Sequence, residues 1–193
     1  KIADKYNAKL RINLYRPTGG VNPFSQAFIP DYATILNAIR YMNENHKILS
    51  ICDPLFNSIL NGDMTQKEGD SSGSKSLRIL HNGDITPSTY LISDNFRTRN
   101  IIEKDVLATL EFSEQMVWDK LVTPVTCQAC KYVEFCKGGA LDRRYLWYDN
   151  INVQDPYCPY RKGNGEPDFK IALDKEPFES IHYGYLPTMF FKP

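Results

Sequence analysis

Residues 127–158 read CQACKYVEFCKGGALDRRYLWYDNINVQDPYC, and the rest of the chain is understood from them. Four of the five cysteines fall here: Cys127 and Cys130 as a Cys-x-x-Cys pair, Cys136 after five more residues, and Cys158 at the far end. A Cys-x-x-Cys pair on a tight turn points both side chains the same way and can offer two thiolates to one ion or cluster. Cys136 and Cys158 then supply the third and fourth ligands. Four thiolates suit a tetrahedral zinc or a [4Fe-4S] cluster, because both take soft sulfur ligands. Spacing alone does not separate the two, and a set of reduced structural thiols is the bland alternative.

Composition narrows the class. A chain of 193 residues supports one good core, or two small units sharing one. Its 23 basic residues balance 23 acidic ones, so charge gives no argument for nucleic acid or an anionic membrane surface. No apolar run approaches the roughly 20 residues of a membrane span, and no signal-peptide pattern opens the sequence. The cysteines are clustered and odd in number, with Cys52 apart, which points to metal ligation in a reducing cytoplasm rather than a disulfide framework. The sequence opens on Lys1 and Ile2 without an initiator Met, as expected of a processed or partial piece of something longer.

Residues 10–16, LRINLYR, alternate as a strand does, and Pro17, Gly19 and Gly20 break it into a loop reaching Pro30. Asp31 is placed to cap a helix whose Tyr32, Ile35, Leu36, Ile39 and Met42 share one face. KILSIC (47–52) reads as a buried strand, and Asp53-Pro54 as the start of a helical turn through Leu60. Strand, helix, strand is the unit of parallel sheets and barrels. The Gly, Ser and charge of 63–75 mark a domain boundary. Asn82-Gly83 then joins runs 76–80 and 85–92 as a hairpin. Residues 105–120 suggest two short helices, 140–148 another, and the Pro-, Gly- and Lys-rich tail after Arg161 an irregular segment.

At this point the residues carry a family. GSKSLRILHNGDITPSTYLIS (73–93), RNIIE (99–103), and Cys-x2-Cys-x5-Cys-Lys-Gly-Gly ending in Asp-Pro-Tyr-Cys-Pro resemble the auxiliary-cluster (SPASM) region of radical S-adenosylmethionine enzymes. LRINLYRPTGG and ILSICDPLF resemble the last strands of the partial (β/α)6 barrel that precedes it. The resemblance implies an α/β fold: the C-terminal part of a radical SAM barrel over 1–62, an α+β SPASM-like iron–sulfur domain with its β-hairpin over 63–163, and the irregular tail over 164–193.

Matched residue by residue, Cys127, Cys130, Cys136 and Cys158 take the positions of the outer auxiliary cluster's ligands. Gly69-Asp70-Ser71, Ser88 and Ala140 stand where the family places cysteines for the other cluster. The resemblance therefore implies one retained auxiliary [4Fe-4S] cluster and one lost, with zinc as the alternative occupant. The Cys-x3-Cys-x2-Cys that holds the S-adenosylmethionine-cleaving cluster is missing from these 193 residues. S-adenosylmethionine and a second [4Fe-4S] are expected only with an N-terminal half outside this sequence. The complete enzyme would be an oxidoreductase acting on a peptide or protein, fed electrons by a flavodoxin or ferredoxin. The competing reading is a non-catalytic zinc or iron–sulfur module that binds a partner protein.

Other candidates have plain alternatives. Arg16 would sit at the barrel mouth as a cofactor contact, or be a surface Arg before a Pro turn. Cys52 and Asp53 end the next strand and share that place; a lone Cys in an apolar strand is usually just buried. His46, His81 and His182 lack a partner pattern. Tyr145, Trp147 and Tyr148 read as packing residues.

Overall fold

The computed structural model describes residues 2–18, 21–63, 69–73, 77–97, 100–102, 121–174 and 188–192. The helices expected within 105–120 lie outside them. After α1 (Ile2–Lys5), β1 (Leu10–Asn13) and a short capped α2 (Pro23–Gln26), Asp31 accepts the Thr34 N–H at 2.7 Å and starts α3 (Tyr32–Asn45). Ile35, Ile39 and Met42 are the buried stripe of that helix, with Tyr32 and Leu36 packed at its margin. β2 (Lys47–Ile51) is buried after its first residue. Asp53 then accepts the Leu55 and Phe56 N–H groups at 3.0 and 3.1 Å, and Pro54 opens α4 (Pro54–Leu60), every residue of which is buried.

β1 and β2 are not neighbours. β5 (Thr188–Lys192) lies between them in the order β1-β5-β2 and runs antiparallel to both. Leu10 pairs with Phe191 and Asn13 with Thr188. On the other edge Ile48 also pairs with Phe191, and a register shift between Ile48 and Ser50 leaves Leu49 bulged. The tail expected to be irregular thus carries the central strand of this sheet. Its TMFFK segment has strand-forming residues too few to register as a period beside the surrounding Pro, Gly and Lys. Phe169 of the tail packs on the core as expected, whereas Phe178, Tyr183 and Tyr185 lie outside the described residues.

The hairpin forms where Asn82-Gly83 places it, with Gly83 at φ +87 and Leu80 N–H on the Asp84 carbonyl at 2.8 Å. Its ladder, β3 (Arg78–Ile79) on β4 (Ile85–Thr86), is only two pairs long because Pro87 has no N–H to extend it. Beyond it α5 (Val133–Cys136) and α6 (Leu141–Tyr148) bracket the Gly138-Gly139 turn. Tyr145 meets Phe96 edge to face at 5.2 Å and Trp147 meets Tyr157 at 5.9 Å, the packing roles expected of them. The architecture is a mixed helix–strand one. No described helix is long and apolar enough to cross a membrane.

One apolar core joins α3, β2 and α4 to Tyr132, Tyr157, Cys158 and Ile171. Inside it sits Arg143, fully buried, with its guanidinium shared between two carboxylates. Nη1 and Nη2 reach Asp53 at 2.6 and 3.2 Å, and Nε and Nη2 reach Asp155 at 3.0 and 2.6 Å. Burial alone would raise the Asp53 carboxyl, but the Arg143 charge and hydrogen bonds hold it below its usual range. Asp155 further accepts the Ala140 and Tyr157 N–H groups at 3.0 and 2.9 Å.

Replacing Arg143 with Met leaves two carboxylates buried without their cation and costs about 3–5 kcal/mol in denaturant unfolding. Lys should recover little, because it cannot fork onto both partners. Deleting 188–193 removes the central strand, and loss of amide protection along β1 and β2 in hydrogen exchange is the expected result.

Candidate metal centre

Pro124 leads into a single 3-10 turn, Val125–Cys127, and the Cys130 N–H closes on the Cys127 carbonyl at 3.0 Å. This is the tight turn the Cys-x-x-Cys spacing calls for. α5 delivers Cys136, after which Lys137, Gly138 and Gly139 run through positive φ of 45, 96 and 100 degrees. That reversal brings Asp155 against Gly139, and the Gly138 N–H pulls the Cys136 thiol down against its burial. Cys158 begins the 3-10 turn Pro159–Lys162; its carbonyl accepts the Arg161 N–H at 3.2 Å, and its Sγ accepts from Gln154 Nε2 at 3.2 Å.

The structure brings all four predicted cysteines to the wall of one cavity of about 500 Å³, floored by Leu55 and Ile59 of α4. Cys127 and Cys158 are buried and Cys130 and Cys136 half-buried; all four are unpaired thiols. Burial pushes the Cys127, Cys136 and Cys158 thiols up, against the pull of the N–H groups on Cys136 and Cys158. Among the described residues no three His, Cys, Asp or Glu side chains gather closely enough to hold a metal ion. At the rim Glu166 accepts from Tyr160 Oη at 2.6 Å and Tyr132 Oη at 3.1 Å and pairs with Lys131, holding segment 160–166 beside the opening.

The other candidates sit elsewhere. Arg16 does not line the cavity: it is buried, and its Nε donates to Asp142 at 2.9 Å while Nη1 reaches the Leu14 carbonyl. Cys52 is half-buried beside Ser50 Oγ at 3.1 Å, and Asp53 serves Arg143. His46 and His81 do not line the cavity, and His182 lies outside the described residues. At the three positions where the resemblance places further cysteines, hydrogen bonds link the chain. Asp70 accepts the Ser72 and Leu141 N–H groups at 2.8 Å each, Ser88 Oγ accepts from the Tyr90 N–H at 3.1 Å, and the Ala140 N–H donates to Asp155 at 3.0 Å. Sequence reasoning missed Gln154 and Asp155. Only their closeness to Cys158 in the chain hinted at either, since a polar residue beside a cysteine has no period to betray it.

No family model and no curated protein matches this chain. A solved structure described as histidine-tagged anSMEcpe with bound AdoMet overlaps it with a TM-score of 0.39 at 22% identity. The overlap covers 68% of this chain and 33% of that one. The chain thus spans about a third of that structure's length, and the likeness falls short of establishing a family.

A Cβ at Gly139 would lie 2.3 Å from the Cβ and carboxylate of Asp155, at a φ that L-residues avoid. Gly139→Ala is expected to destabilise the protein by at least about 2 kcal/mol in thermal unfolding and to impair metal binding. Ala at Gly163, whose surroundings are open, should cost far less.

Proposed function

We propose that the cavity holds one [4Fe-4S] cluster on Cys127, Cys130, Cys136 and Cys158. The chain is then the C-terminal part of a radical S-adenosylmethionine enzyme, with that cluster as its auxiliary centre. The observation carrying this reading is the meeting of the four thiols on one cavity, with the Gln154 side chain donating to one of them. Four cysteine thiolates suit a [4Fe-4S] cluster, and zinc is the alternative occupant. Such a cluster supplies one-electron redox chemistry when bound. This chain's part is to give four thiolates, to tune them with backbone N–H groups, and to screen them behind α4 and the Glu166 rim.

With every iron ligated by cysteine, the centre would serve electron transfer or architecture rather than substrate binding. A peptide or protein substrate, a flavodoxin or ferredoxin donor and a reducing cytoplasm belong to the same proposal. Arg16, committed to Asp142, is given no part in cofactor binding. The second reading is a non-catalytic zinc or iron–sulfur module that engages a partner protein.

Anaerobic purification followed by iron, zinc and acid-labile sulfide analysis tests the centre. Roughly four irons and four sulfides, with a brown absorbance bleached by dithionite, are expected. One zinc without sulfide would overturn the cluster. Cys130→Ala and Cys158→Ala should lose the metal and lower Tm, whereas Cys52→Ala should retain it.

A further inference from the structure

Arg143 and Arg144 are adjacent and both fully buried, yet only the first has its charge answered. Among the described residues Arg144 makes no ion pair. Its Nη1 donates to the Val153 carbonyl at 3.3 Å, and its Nε is buried without a partner. The carboxylates whose charge it feels are already engaged: Asp155 by Arg143, and Asp70 by the N–H groups of Ser72 and Leu141. A guanidinium taken out of water without a counter-ion costs several kcal/mol, so a fold keeps one only where something anionic stands close.

The neighbours on the remaining side are the thiol centre. Nη1 lies 2.9 Å from where a Cβ on Gly138, two residues after Cys136, would be. Arg144 also acts electrostatically on Cys127 and Cys136, where its charge favours the thiolate at Cys127. Gly138 is what permits this approach: any side chain there would push the guanidinium away. Four thiolates on a metal or cluster core make a net-negative centre, and reduction adds a further negative charge.

We propose that Arg144 is the buried counter-charge of the thiolate–metal centre, stabilising the loaded centre and raising its reduction potential. The inference rests on the cluster reading above. It predicts that the orphaned cation acquires its partner only when the centre is loaded.

The test is a dithionite titration of anaerobically reconstituted protein, with iron and sulfide measured for each variant. Arg144→Met is expected to lower the midpoint potential and to release iron to a chelator roughly tenfold faster, with Arg144→Lys closer to wild type on both. Arg16→Lys, which disturbs a buried ion pair away from the cavity, controls for a loosened fold and should leave the potential near that of wild type in whatever fraction loads. Arg144→Met protein that carries a full cluster at an unchanged potential overturns the inference. Should Arg144→Met fail to load, an Arg144→Lys variant that loads but has a potential displaced as far as that of loaded Arg144→Gln overturns it too. Wild-type protein without iron or sulfide overturns the cluster reading instead, so the two failures are distinct.

Discussion

A single guanidinium clamps two carboxylates from distant parts of the chain. Asp53 belongs to the cap of α4 and Asp155 to the loop before Cys158, ninety and twelve residues from Arg143. Each carboxylate also organises backbone: Asp53 starts a helix, and Asp155 ties the N–H groups of Ala140 and Tyr157. Removing the cation would strand both charges in a medium that cannot solvate them, so the arrangement is retained as a unit or lost as one. Arg16 on Asp142 extends the same buried charge layer to the strand side of the molecule.

The thiol site inherits its shape from that layer. Asp155 presses against Gly139 so closely that a methyl group could not intervene, and its N–H holds the Gly138 carbonyl at 2.9 Å. The positive-φ run after Cys136 is thereby fixed from behind, and with it the direction of the Cys136 side chain. Cys158 follows Asp155 by three residues, and its N–H closes on the Asp155 carbonyl at 3.0 Å. Two of the four thiols are thus positioned by one aspartate, which is itself positioned by Arg143. Ligand geometry here is a consequence of buried ion pairing and turn chemistry as much as of any bound metal.

The apolar core runs across the boundary that composition suggests near 63–75. Ile35, Ile39, Leu55 and Ile59 pack in the same cluster as Tyr132, Tyr157 and Cys158, and Leu55 and Ile59 also floor the cavity. A side chain that both fills the core and walls the cavity ties the shape of the cavity to stability, because loosening one exposes apolar surface in the other.

Local features were legible in the sequence wherever a short-range rule governs them. The Asp31 and Asp53 caps, the α3 stripe, the buried KILSI strand and the Asn82-Gly83 turn depend on residues within a few positions of each other. The four cysteines of the spacing motif do line one cavity. Tertiary structure alone decided that the TMFFK segment would part β1 from β2. It alone decided that Arg16 would face Asp142 rather than a barrel mouth, and that Arg143 would find two carboxylates while Arg144 found none. The physical reason is common to all of these. Strand order and buried charge pairing join residues far apart in sequence, and two neighbouring arginines of identical chemistry are told apart only by which side of a helix the core happens to cover.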